Sequence, residues 1–155
     1  MDFWTLFSAF VGGALGALAT ELIGAVVRAS QGAEKQRDDD LADLLENLNS
    51  LRIVAEEYWT KSAGELGSDE PKKWALINAH LHHINLIVTD MFTGEPKREC
   101  DVAYTPLMRA VAGDTFGNGD RIAQPERLVL VHQAALNFRR KAIKCRRGMR
   151  RSPLA

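Results

Sequence analysis

A run of 25 residues near the start of the chain, residues 3–27, carries a single charged side chain, that of Glu21. As an α-helix rising 1.5 Å per residue, a run of this length can cross a hydrocarbon core of roughly 30 Å. The run is apolar on every face, which is typical of a span in lipid and not of a helix that packs one face on a core. The sequence therefore predicts a transmembrane helix within residues 1–30.

A cleaved signal peptide is the main alternative, because residues 17–19 have the small side chains of a cleavage site. The apolar run continues past that point to Val27, however, and no basic side chain stands ahead of it. We therefore expect the segment to be retained as an anchor. Arg28, Lys35 and Arg37 follow it. Because basic residues flank membrane helices on the cytoplasmic side, the rest of the chain is expected in the cytoplasm.

Small side chains recur at every fourth position of this segment. They are Ser8, Gly12, Gly16, Thr20 and Gly24. Helices in lipid associate where small residues let their backbones approach, so the stripe predicts the interface of a homo-oligomer. Glu21 lies beside the stripe. In a ring of such helices its carboxylate would line a pore, and otherwise it would reach to the membrane interface.

Beyond the first segment, apolar residues recur with three- and four-residue spacing, and no stretch alternates as a strand does. Four amphipathic helices are expected. Their apolar residues are Leu41, Leu44, Leu48, Leu51, Ala55 and Tyr58; then Trp74, Ile77, Leu81, Ile84, Val88 and Met91; then a short helix from Thr105-Pro106 to Val111; and finally Leu128, Val131, Ala135, Phe138 and Ala142. The first of these follows a short connector or continues directly from the membrane segment. The predicted fold class is all-α, with an N-terminal transmembrane helix, a HEPN-like helical bundle over residues 31–147 and a basic tail over 148–155.

The charges of the chain are segregated although they cancel overall, with 20 basic and 20 acidic side chains. Residues 38–70 carry ten acidic side chains against Arg52 and Lys61. Residues 139–151 carry eight basic side chains and no acidic one. The basic end predicts either contact with anionic lipid or nucleic acid, or a solvated helix end.

The cysteines and histidines do not form a recognisable metal motif. Cys100 and Cys145 lack a CxxC partner, and a reducing compartment suits them. His80, His82 and His83 are clustered, and the first and last share a helix face. No cysteine or carboxylate stands at a spacing that completes a site with them. We expect neither a metal nor a cofactor.

Arg127 and His132 are the pair whose chemistry suggests catalysis. Both lie in the first turns of the last predicted helix, where they can border one groove. An arginine can hold a phosphate there, and a histidine can move the proton of a ribose hydroxyl. The pair resembles the R-x4–6-H motif of the HEPN superfamily, small helical bundles that include many metal-independent ribonucleases with two motifs paired across a dimer interface. The residue after the arginine is often polar in active members, whereas here it is Leu128.

The order of a membrane segment, a HEPN-like bundle and a late R-x4-H motif resembles the small membrane accessory protein of type VI-B CRISPR systems. That family accompanies an RNA-guided RNA-cutting effector, forms a membrane pore from a ring of subunits and strengthens antiphage defence. The resemblance implies a membrane-anchored, oligomeric, pore-forming effector in the bacterial inner membrane. Its partners would be copies of itself, the bilayer, and an RNA-guided effector or RNA. The alternatives are a membrane-tethered HEPN ribonuclease that uses Arg127 and His132, and a non-enzymatic membrane adaptor.

Overall fold

The computed structural model describes the backbone of residues 3–150 and the side chains of residues 31–149. This part of the chain is helical and contains no strand. The helices are α1 (Phe3–Thr60), α2 (Ala63–Leu66), α3 (Glu70–Met91), α4 (Gly94–Ala112) and α5 (Arg127–Arg150), with a 3-10 turn over Gly67–Asp69. The all-helical prediction is therefore confirmed.

The transmembrane part of the predicted fold is wrong. Within residues whose placement is described, no helix combines the length and the apolarity needed to cross a bilayer. The backbone of α1 instead continues from Phe3 to Thr60. Residues 28–40 contain no proline and one glycine, Gly32, so no residue type in this interval ends the helix. The predicted interface residues Ser8, Gly12, Gly16, Thr20 and Gly24, and the predicted pore residue Glu21, have side chains outside the described ones.

The chain divides into two compact units, residues 1–39 and residues 40–155. In the first unit the backbone is helical from Phe3 onward. The side chains from residue 31 to residue 39 are mostly exposed to solvent. This unit therefore contributes no enclosed side chain between residues 31 and 39.

The second unit has a core to which α1, α3, α4 and α5 each contribute one face. The enclosed side chains include Leu44, Leu51, Ala55, Tyr58 and Trp59 from α1; Ile77, Ile84 and Val88 from α3; Cys100, Leu107 and Val111 from α4; and Val131, Phe138 and Ala142 from α5. Burying each of the larger ones contributes about 1.5–3 kcal/mol, which is why the helical spacing of apolar residues identified most of them. Trp74 is an exception, because 42% of its surface is exposed.

The third amphipathic helix is longer than predicted, because α4 begins at Gly94 and not at Thr105. Gly94 adopts a left-handed φ of 60°, which turns the chain after α3, and Pro96 falls in the first turn, where a missing N–H costs little. Pro106 therefore lies inside α4. Its missing N–H leaves the carbonyl of Val102 without a helical donor, and the 74% exposure of Val102 lets water take that place.

Candidate functional site

Arg127, the predicted phosphate-binding residue, packs into the bundle at the start of α5. The backbone N–H of Gln124 donates to the carbonyl of Trp59 over 2.8 Å, which holds the start of α5 beside the end of α1. The guanidinium carbon of Arg127 then lies 4.5 Å from the centroid of the Trp59 ring. A Cβ on Gly113 would come within 1.5 Å of Arg127 Nη1, so the guanidinium occupies the space that this glycine leaves open. Arg127 is thus a packing residue that joins α1, α4 and α5.

His132 faces a different part of the surface, in a groove between α1 and α5 with a volume of about 270 Å³. We call it the α1/α5 groove. Its lining residues are Leu45, Leu48, Asn49 and Arg52 from α1, and His132, Ala135, Leu136 and Arg139 from α5. All eight belong to the second compact unit.

Arg127 and His132 do not border the same groove within one chain. Arg127 lines a shallower groove between α4 and α5, together with Pro106, Arg109 and Leu130. Five residues along a helix correspond to about 500° of rotation, so two such side chains point about 140° apart. The expected arrangement, in which both side chains address one phosphate from one groove, is absent from the single chain.

The α1/α5 groove combines an apolar floor with three nitrogen-bearing side chains, Arg52, His132 and Arg139. Arg52 Nη2 donates to Asn49 Oδ1 over 3.0 Å. None of the three forms an ion pair in the part of the chain that the structure describes, and no carboxylate lines the groove. The groove therefore presents positive charge beside apolar surface.

Sequence reasoning missed Arg52 and Arg139 as site residues. The signal that could have found Arg139 is its position seven residues after His132, which places both on one helix face. Arg52 likewise follows Leu45 by seven residues. What the sequence did not show is that these two faces lie side by side.

The histidine cluster on α3 contacts α1. His80 Nδ1 and His83 Nδ1 lie 3.2 Å and 3.1 Å from Asn47 Oδ1, and Asn47 Nδ2 donates to Asp43 Oδ1 over 2.9 Å. His83 Nε2 lies 3.6 Å from Asp43 Oδ2, so the structure brings a carboxylate to the cluster that sequence spacing did not place there. Burial, and secondarily the neighbouring His83, holds the pKa of His80 below its ordinary value. Among the residues described, no group of three or more histidine, cysteine or carboxylate side chains could hold a metal ion.

A buried ion pair between Arg121 and Glu70 also escaped sequence reasoning. Arg121 Nη2 lies 2.9 Å from Glu70 Oε2, and the side chain of Arg121 is fully shielded from solvent. Its Nη1 donates to the carbonyl of Lys61 over 2.7 Å, and its guanidinium carbon lies 4.0 Å from the centroid of Tyr58. Charged side chains are seldom buried, so composition and spacing favoured a surface position for both. The pair fixes the loop between α4 and α5 to the start of α3.

The basic residues of α5 follow different courses. Arg140, Lys144 and Arg147 are exposed and line a shallow surface depression. Lys141 pairs with Glu99 of α4 over 3.3 Å. Arg146 is 2% exposed and belongs to the interior. The cationic surface is therefore smaller than the count of basic residues suggested.

Comparison of the chain with protein-family models, with curated proteins and with solved structures finds no match.

Proposed function

We propose that this chain is a non-enzymatic docking module whose α1/α5 groove binds an acidic amphipathic helix of a partner protein. The observation that carries the proposal is the composition of the groove, in which Arg52, His132 and Arg139 surround an apolar floor without any carboxylate. Apolar residues of a partner helix would cover the floor. Carboxylates on the same helix would meet the two arginines.

The spacing of the lining residues matches a helical ligand. On each helix the lining positions follow the pattern i, i+3, i+4 and i+7, so two parallel ridges border the groove. The end of α1 lies beside the start of α5, so the two helices run antiparallel. Arg52 and Arg139 therefore lie towards opposite ends of the groove, about 10 Å apart along the helix axis at 1.5 Å per residue. A partner helix with acidic residues at i and i+7 and apolar residues at i+3 and i+4 meets both arginines and the floor.

The size of the groove also favours protruding side chains over a small-molecule ligand. Pockets that enclose a drug-sized molecule or cofactor have volumes of roughly 300–1,000 Å³ and bury most of the ligand surface. The α1/α5 groove has a volume of about 270 Å³ and is open to solvent. It suits a few side chains from a helix that lies along it.

The ribonuclease alternative receives less support from this arrangement. It requires an arginine free to hold a phosphate, whereas the guanidinium of Arg127 stacks on Trp59 and fills the space over Gly113. The predicted pore-forming role and the predicted effector partner stay predictions. A docking module is the form of the adaptor hypothesis that the groove supports.

The test is binding of a fluorescent synthetic helix with glutamate at i and i+7 and leucine at i+3 and i+4, measured by anisotropy on the full chain. We expect Arg139→Glu to weaken binding about tenfold or more, which corresponds to roughly 1.4 kcal/mol. Arg140→Glu is the matched control, because it makes the same charge change at the next residue of the same exposed helix but does not line the groove. Binding should also weaken as salt rises.

Three outcomes would redirect the assignment. Equal weakening by Arg139→Glu and Arg140→Glu would mean that net charge, and not the groove, attracts the peptide. Self-association in analytical ultracentrifugation that Arg139→Glu abolishes would identify the occupant as a second copy of this chain. Binding to vesicles containing anionic lipid that Arg139→Glu abolishes and Arg140→Glu retains would assign the groove to lipid.

A further inference from the structure

We propose that Cys100 and Cys145 form a modification site, at which a hydroperoxide oxidises the two thiols to a disulfide that joins α4 to α5. The site lies away from the α1/α5 groove and does not depend on the proposed docking function. Both side chains are buried and both are free thiols in this structure. Each thiol is within hydrogen-bonding distance of the other.

The packing of α4 against α5 holds the two sulfurs together. Lys141 Nζ lies 3.3 Å from Glu99 Oε2, one residue before Cys100. Cys145 Sγ lies 3.5 Å from the same carboxylate oxygen. Farther along the two helices, the rings of Tyr104 and Phe138 contact each other edge to face. The thiols therefore meet on an extended interface, where a small side-chain rotation can bring the sulfurs to bonding distance.

The surroundings of the two thiols assign the order of reaction. Cys100 is fully enclosed, whereas Cys145 retains 5% of its surface and borders the partly exposed Glu99 and Lys141. The Cys145 thiolate attacks the O–O bond of the hydroperoxide, forms a sulfenic acid and releases water or an alcohol. The Cys100 sulfur then attacks the Cys145 sulfur, the S–S bond forms, and the sulfenic oxygen leaves as water with the Cys100 proton. Two thiols thereby lose two electrons and the O–O bond gains them.

Burial makes this a slow reaction. It raises the pKa of the Cys145 thiol, and it raises the pKa of the Cys100 thiol further, because Cys100 has no contact with solvent. Only the thiolate attacks, so the rate should rise about tenfold for each pH unit below the pKa of the attacking thiol. A reducing compartment would keep the pair open, and sustained peroxide would close it.

The disulfide would stabilise the fold, because it closes a loop of roughly 45 residues and so restricts the unfolded chain. For a chain of this size, we expect the melting temperature of the oxidised protein to exceed that of the reduced protein by on the order of 5–10 °C. Reduction with a dithiol should return it to the original value.

The experiment treats the full-length folded protein with hydrogen peroxide at pH 7 and at pH 8.5, then unfolds it, alkylates free thiols and measures the intact mass. The expected product is a monomer that takes up no alkyl group and is lighter by about 2 Da, with a peptide that links Cys100 to Cys145. The product should form faster at pH 8.5. Cys145→Ala is the control, which should retain an alkylatable Cys100 and form no linked peptide.

Two results would overturn the proposal. In the first, both thiols of the unfolded wild type are still alkylated after peroxide treatment. In the second, the products are oxygen adducts or disulfide-linked dimers without the internal link. Both results are read from the wild-type protein, so they do not depend on how well a cysteine variant folds.

Discussion

Replacing Arg121 with methionine should destabilise the bundle more than any change to a surface charge. Methionine keeps an unbranched side chain but removes the guanidinium, which pairs with Glu70 over 2.9 Å and donates to the Lys61 carbonyl over 2.7 Å. Removing one partner of a buried pair costs about 3–5 kcal/mol, because the other charge stays buried without compensation. The lost contact with the Tyr58 ring, at 4.0 Å, acts in the same direction. We expect a total loss of about 3–5 kcal/mol.

Urea unfolding followed by circular dichroism measures this loss. With a slope of about 1–3 kcal/mol per molar urea, the midpoint should fall by roughly 2 M, and the melting temperature by about 10 °C. Lys72→Met is the matched control, because it breaks the ion pair with Asp69, whose two side chains are 70% and 58% exposed. Exposed pairs contribute little, so the control midpoint should be unchanged within error.

The reasoning is refuted if Arg121→Met and Lys72→Met shift the midpoint equally. Arg121→Lys provides a further check, because lysine keeps the charge but lacks the planar fork that reaches both Glu70 oxygens and stacks on Tyr58. It should recover only part of the lost stability. Full recovery by lysine would mean that charge alone, and not the geometry of the guanidinium, holds the loop.

Two further predictions concern stability. The pKa of His80 is lowered in the fold, so the unfolded chain binds the proton more tightly, and the contribution of His80 is complete above its ordinary pKa and lost as the pH falls below about 6.5; His80→Gln should reduce the difference between urea midpoints at pH 7.5 and 5.5, whereas the exposed His82→Gln should not. Gly113→Ala should destabilise the fold by more than about 2 kcal/mol, because the residue has a φ of 54° and its Cβ would collide with Arg127. Gly64→Ala, with no atom within 4 Å of the added Cβ, is its control, and equal melting temperatures for the two variants would contradict the prediction.

Much of the fold could be predicted from the sequence because helix formation is local. The three- and four-residue spacing of Leu44, Leu48 and Leu51 on α1, and of Val131 and Phe138 on α5, is sufficient to identify a buried face. A face can be recognised without knowing what covers it. The length of α1 was harder to predict, since a charged interval without proline can either end a helix or continue it.

The candidate site was predictable only in part. The sequence suggested His132, and the structure places it in a groove. Its partner in that groove is not Arg127 but Arg52, which lies 80 positions earlier in the chain. No spacing rule connects residues so far apart, because their proximity depends on how α1 and α5 pack.

By itself, the sequence determined the helical class, the turns at glycine and proline, and the core faces of the helices, since each depends on residues within a few turns of one another. Only the tertiary structure decided that Arg121 is buried against Glu70, that Arg127 packs on Trp59, and that Cys100 meets Cys145. The physical reason is that burial and ion pairing depend on distances between helices. An arginine has the same local pattern whether it faces water or a carboxylate from another helix, so only the packed bundle distinguishes a binding group from a structural one.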